Sequence, residues 1–136
     1  LGSLTGSVSQ GVVSEGDLVM GPDGITVYIV NAKGYKRHIF NPKEFSMYKH
    51  FKWNEVKKLD QVALDVYKSS DLYRASGDAK VFSLFEVDMA KGIAQKRWLD
   101  MTAEQYEKKG YSWDQIFEIN PVERDYYGSG SSISYP

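Results

Sequence analysis

Two Lys-Arg pairs stand sixty residues apart, Lys36-Arg37 and Lys96-Arg97, and the chain carries three tryptophans, Trp53, Trp98 and Trp113. These side chains have the most to offer a partner. A guanidinium takes an anionic group or stacks on a ring, and an indole supplies a broad apolar face with one N–H donor. Adjacent residues of a strand point to opposite faces, so at most one member of each pair is expected to meet the core side. The structural use of the arginine is to pack its stem, or stack its head, on Trp53. The functional use is a ligand contact through Arg37 and Arg97, with an anionic glycan or a neighbouring subunit. Trp98 falls where the other copy of the pattern has His38, so that position need not be apolar. Trp98 is therefore the ring best suited to an exposed contact. Trp53 and Trp113 are expected as buried staples between helix and sheet.

No other constellation points to catalysis. His38 and His50 are the only histidines, neither recurs at the repeat spacing, and there is no cysteine. Disulfides, thiolate metal sites and cysteine nucleophiles are thereby excluded, and a zinc site lacks its usual ligands. The eighteen carboxylates make close pairs inevitable, so proximity alone would not define a glycosidase. There is no Gly-x-Ser-x-Gly elbow, phosphate loop, dinucleotide fingerprint or EF-hand loop. Gly128-Ser129-Gly130 sits in a polar tail without the strand and helix such motifs need. The chain reads as a protein without catalytic residues, metal or cofactor.

The spacing of these residues reveals an internal duplication. Lys36-Arg37-His38-Ile39 and Trp53-Asn54-Glu55-Val56 return as Lys96-Arg97-Trp98-Leu99 and Trp113-Asp114-Gln115-Ile116, with Tyr67 matched by Tyr127. A period near 60 means one supersecondary unit used twice. The expected organisation is an extended arm over residues 1–14, one domain over 15–127 made of repeats 15–69 and 70–127, and a tail over 128–136. Near the start of each copy the offset is 54 and by Lys96 it is 60, so the second hairpin loop is expected to hold six extra residues around Asp88–Gly92.

Within each copy the pattern predicts a short strand, a β-branched strand such as Ile25–Val30, and a hairpin partner carrying the Lys-Arg pair. Helices are expected after Asn41-Pro42, Asp60, Thr102 and Asn120, each opened by a capping residue. Val62, Ala63 and Val66 are expected to face inward from the Asp60 helix. The fold class is α+β: two similar units, each a small antiparallel β-hairpin sheet followed by short helices. Each hairpin alone would expose an apolar side, so burial of the two units against each other is expected to drive folding.

At 136 residues, 42% hydrophobic and 26% charged, the chain has a globular composition and length for a real core. Its net charge of −1 argues against nucleic acid as a partner, which requires a surplus of cations; the basic stretch from Lys33 to Lys58 reads as a solvated face. No apolar run reaches the roughly 18 residues of a membrane span. The first residue, Leu1, suggests that a leader or other segment has been removed.

The pattern Val27-Tyr28-Ile29, Gly34-Tyr35-Lys36-Arg37-His38-Ile39, Phe45, Phe51, Trp53 and Val56 resembles a repeat of exported bacterial cell-surface proteins. There it occurs in tandem in S-layer-like or wall-associated chains. The second copy supplies Val81-Phe82, Lys96-Arg97-Trp98-Leu99, Tyr106, Tyr111 and Trp113. The resemblance implies an extracellular or cell-surface location and supplies no catalytic residues.

Two functions follow as expectations. The first is a structural subunit of a filament or surface layer, a homo-polymer assembled by strand addition through its ends. Its subunit contacts would be Leu4, Val8, Val12 and Val13 of the uncharged arm, and Ile133 and Tyr135 of the tail. By composition alone, the arm reads first as a linker and the tail as a flexible end. The second is a module that binds cell-wall polysaccharide or another glycan on exposed aromatic rings.

Overall fold

The structure, a computed structural model, describes residues 13–39, 42–88 and 93–135. The chain divides into two compact units, Leu1–Ser70 and Asp71–Pro136. The first contains β1 (Leu18–Met20), β2 (Val27–Val30), β3 (Tyr35–Ile39), α1 (Pro42–Ser46), a 3-10 turn at Trp53–Glu55, β4 (Lys57–Lys58), α2 (Gln61–Asp65) and β5 (Lys68–Ser69). The second contains β6 (Leu72–Ala75), β7 (Phe82–Asp88), β8 (Ile93–Asp100), α3 (Ala103–Lys108), a 3-10 turn at Trp113–Gln115, β9 (Phe117–Ile119), α4 (Pro121–Tyr126), β10 (Gly128–Ser129) and β11 (Ile133–Ser134). The fold is α+β, with a five-stranded and a six-stranded sheet and four short helices among the described residues.

Strand order runs β4-β1-β2-β3-β5 in the first unit and β9-β6-β7-β8-β10 in the second. These are the same path. In each, a three-stranded antiparallel meander is flanked by strands that return parallel to it, β4 on β1 and β5 on β3, then β9 on β6 and β10 on β8. The parallel edges add to the antiparallel hairpin expected from the sequence. Pieces of two or three residues are too short to show a period, which is why the pattern did not reveal them.

Local chemistry explains the boundaries. Gly24 adopts φ 68° and its N–H closes the turn onto the Gly21 carbonyl at 3.1 Å, while Asp23 Oδ1 accepts from the Ile25 and Thr26 N–H groups. Asp60 caps α2 by accepting from Ala63 N at 2.8 Å, and Asn120 caps α4 by accepting from Glu123 N at 2.8 Å. Thr102 and Gln105 form a reciprocal capping box at α3, and Ser112 with Gln115 forms another at the second 3-10 turn. Asn41, the cap expected for α1, lies outside the described residues.

Alternation on the first meander feeds two clusters. Leu18, Val27, Ile39, Phe45 and Phe51 pack together, and Val19, Val30, Leu59 and Leu64 form a second cluster joined by Val13, Tyr28, Ala63 and Tyr67. Adjacent Leu18 and Val19 thus face opposite ways, and helices of the same unit cover both faces. Burial of the hairpin needs no second unit, contrary to expectation. In α2 the buried residue is Leu64, whereas Val62 and Val66 are exposed. A helix of five residues offers one inward position per turn, and Leu64 takes it.

The six extra residues of the second copy are in the strands, not the loop. β7 has seven residues against four in β2, and β8 eight against five in β3, three more in each strand. The register shifts between Glu86 and Asp88, as a bulge requires.

The ends are also placed. Val13 packs on the Val19–Leu64 cluster of its own unit. Ile133, in β11, pairs with Leu99 of β8 and packs beside Leu72, Leu99 and Tyr106. The tail therefore carries two short paired strands, β10 and β11, with Tyr135 half-buried beyond them, where composition suggested a flexible end. Leu4, Val8 and Val12 lie outside the described residues.

Candidate functional site: an aromatic groove in the second unit

The two lysines of the Lys-Arg pairs have the same structural task. Lys36 Nζ donates to the carbonyls of Leu64 at 3.3 Å and Tyr67 at 2.5 Å, and Lys96 Nζ donates to those of Arg124 at 3.0 Å and Tyr127 at 2.6 Å. Each ammonium closes the C-terminal end of α2 or α4, where orphan carbonyls and the negative end of the helix dipole favour a cation. Burial pulls the Lys96 ammonium below the ordinary lysine value, with Asp125 opposing the shift and Arg124 adding to it.

The arginines are less available than the sequence suggested. Arg37 is buried, as is Lys36, because β3 is an interior strand covered on both faces. This corrects the expectation that only one of the pair faces inward, and removes Arg37 as a ligand contact. Trp53 stacks on Phe45, not on arginine. In the second unit Arg97 Nε donates to the Ser131 carbonyl at 2.8 Å and its guanidinium lies 5.5 Å from the Phe85 ring centre. Arg97 ties the tail down, on the strand face opposite its neighbour Trp98.

The tryptophans depart furthest from expectation. Trp53 is 57% exposed and Trp113 47%, more than Trp98 at 37%. Neither Trp53 nor Trp113 is a buried staple. Each lies over a buried ring of the preceding helix: Trp53 on Phe45 at 3.9 Å and 4°, Trp113 on Tyr106 at 4.2 Å and 30°. Each indole is carried by a 3-10 turn and covers the buried ring from outside. Trp113 is fixed further by its indole N–H, which donates to Glu107 Oε2 at 2.7 Å, and Tyr106 donates its hydroxyl proton to the Ser112 carbonyl at 2.7 Å.

Where β8 ends and α3 begins, these rings line a concavity of about 340 Å³. Trp98, Tyr106 and Trp113 supply its aromatic surface, with Met101 and Thr102 between them in sequence and Lys80 at the strand entrance. Lys80 Nζ stands 4.8 Å from the Trp98 ring centre. Trp113 also lines a second concavity of about 660 Å³, where Arg74 and Glu118 face each other at 3.7 Å. A concave, largely apolar wall with a few polar groups is the usual form of a small-ligand site.

Of the groove residues, only Trp98 was singled out by the sequence as a contact. Trp113 was assigned to the core, and Lys80 gave no signal because it is a lone cation just beyond the Ser76-Gly77 turn. Among the described residues no group of three or more His, Asp and Glu could hold a metal ion, and no helix is long and apolar enough to cross a membrane. No family model, curated protein or solved structure matches the chain.

Proposed function

We propose that the chain is a non-catalytic, cell-surface binding module that takes a glycan in the aromatic groove of its second unit. One observation carries this reading: Trp98 and Trp113, both partly exposed, line the same concavity. The C–H face of a pyranose is apolar and slightly positive, and an indole face is apolar and negative, so the two stack. Rings fixed in advance by Tyr106 and Glu107 lose little entropy on binding. The extracellular setting rests on the resemblance to cell-surface repeats.

The filament reading is supported less. Val13 and Ile133, two of its contact residues, are engaged within their own units. The test is co-sedimentation of the purified chain with insoluble wall polysaccharide, with size-exclusion chromatography in parallel. Sedimentation that weakens about tenfold in Trp98→Ala and Trp113→Ala, and is kept in Trp53→Ala, supports the groove. A chain that elutes as ordered polymers and ignores polysaccharide overturns it in favour of the structural subunit.

A further inference from the structure

We infer that the groove selects an acidic saccharide, one bearing a carboxylate or phosphate, and that Lys80 reads the charge. This rests on the glycan reading above and narrows it. Of the ten described residues lining the groove, Lys80 is the one that carries a charge. No carboxylate is among them, so this part of the wall is complementary to an anion.

Among the described residues Lys80 forms no ion pair, although the antiparallel register sets Asp100 of β8 across from it. Asp78, two residues away, is the acid nearest in sequence, and its carboxylate is committed elsewhere: Oδ1 accepts the Lys80 backbone N–H at 3.0 Å and Oδ2 faces Arg124 at 3.4 Å. Glu107, beside Trp113, is held by the indole N–H. What holds Lys80 in place is the face of Trp98, 4.8 Å away. A ring quadrupole positions an ammonium without cancelling its charge, and at an exposed site it does so weakly enough for the chain to swing toward an anion. The lysine is parked on the platform that the sugar would use, so stacking of a sugar on Trp98 frees the ammonium to meet the acid group.

The first unit shows what the arrangement adds. At the positions matched by the repeat it has Thr26 for Lys80 and His38 for Trp98. Thr26 is turned onto Asp23, to which its hydroxyl donates. The cation and the second indole are thus specific to the groove.

The experiment uses the full chain, a uronic-acid oligosaccharide and the same oligosaccharide with its carboxyl groups reduced to alcohols, followed by tryptophan fluorescence or calorimetry. The acidic form should bind about tenfold tighter at low salt, the advantage shrinking as salt rises. Lys80→Gln should make the acidic and reduced forms bind alike, with the same unfolding midpoint. Trp98→Ala should weaken both forms. Equal binding of the two forms, both dependent on Trp98, overturns the acidic selection and leaves the aromatic groove standing. A preference that survives Lys80→Gln also overturns it. No binding of either form removes the glycan reading itself.

Discussion

The two units share one topology and differ in what their surface rings do. In the first, Trp53 lies parallel on Phe45, His38 pairs across the strands with Tyr28, and the described concavity is about 130 Å³ beside Gly21 and Leu64. In the second, Trp113 lies on Tyr106, Trp98 pairs across the strands with Phe82, and the two indoles share a groove of about 340 Å³. The frame that caps helices and seats a ring over the helix is common to both. One aromatic substitution and one cation distinguish the groove of the second unit from the matching face of the first. Duplication thus separates what the fold requires, which appears twice, from what is particular to one copy.

The largest effect should come from the shared frame. Phe45→Ala and Tyr106→Ala each remove a buried ring beneath an indole and should cost about 3–5 kcal/mol in urea unfolding. Similar losses in both would show that the two copies rest on the same support. A loss under ~1 kcal/mol in either would mean that the exposed indole, not the ring beneath it, closes the core.

Next come the helix-closing lysines. Lys36→Met and Lys96→Met keep the apolar stem and delete the donor, leaving two carbonyls unsatisfied in each unit, for an expected loss of about 1–3 kcal/mol. If both variants unfold like the parent, the shared ammonium contributes nothing to stability and its recurrence needs another account.

Trp98→His makes the second unit copy the first. It should weaken glycan binding about tenfold, roughly 1.4 kcal/mol, with little change in stability. Unchanged binding would locate the contact elsewhere and erase the functional difference between the units. Trp53→Ala and Trp113→Ala should each cost only about 0.5–1.5 kcal/mol of stability, the worth of an exposed stack. Losses near those of Phe45→Ala would restore the buried-staple reading.

The smallest effect separates the units by pH. Burial alone would raise the Asp17 carboxyl, but the hydrogen bond from Lys57 at 2.8 Å, the Ser14 N–H and the Lys57 charge together hold it below the ordinary carboxylate value. The folded state thus keeps Asp17 ionised more readily than the unfolded chain does. The resulting stability is complete above the unfolded value of about 3.9 and is lost as pH falls through the lower folded value. Both partners are partly exposed, so the amount is at most about 1 kcal/mol. Its counterpart Asp71 accepts instead from the Ser83 hydroxyl at 3.1 Å. Stability measured across pH 2–5 should flatten by this amount in Asp17→Asn, and an unchanged profile would dismiss the contribution.

Sequence by itself determined the duplication, the α+β class, the caps at Asp60, Thr102 and Asn120, and the turn at Gly24. Each of these is set within a few residues, by hydrogen bonds the local chain can complete or by a motif written twice. The parallel edge strands, the burial of Lys36 and Arg37, the exposure of Trp53 and Trp113 and the seat of Lys80 on Trp98 were decided by tertiary structure. A strand of two residues exists only because another strand lies beside it. Whether an indole is buried depends on what lies above it once the ring below is already covered. The groove joins residues 80, 98 and 113, which no local rule connects, so it came into being only when β7, β8 and α3 folded together.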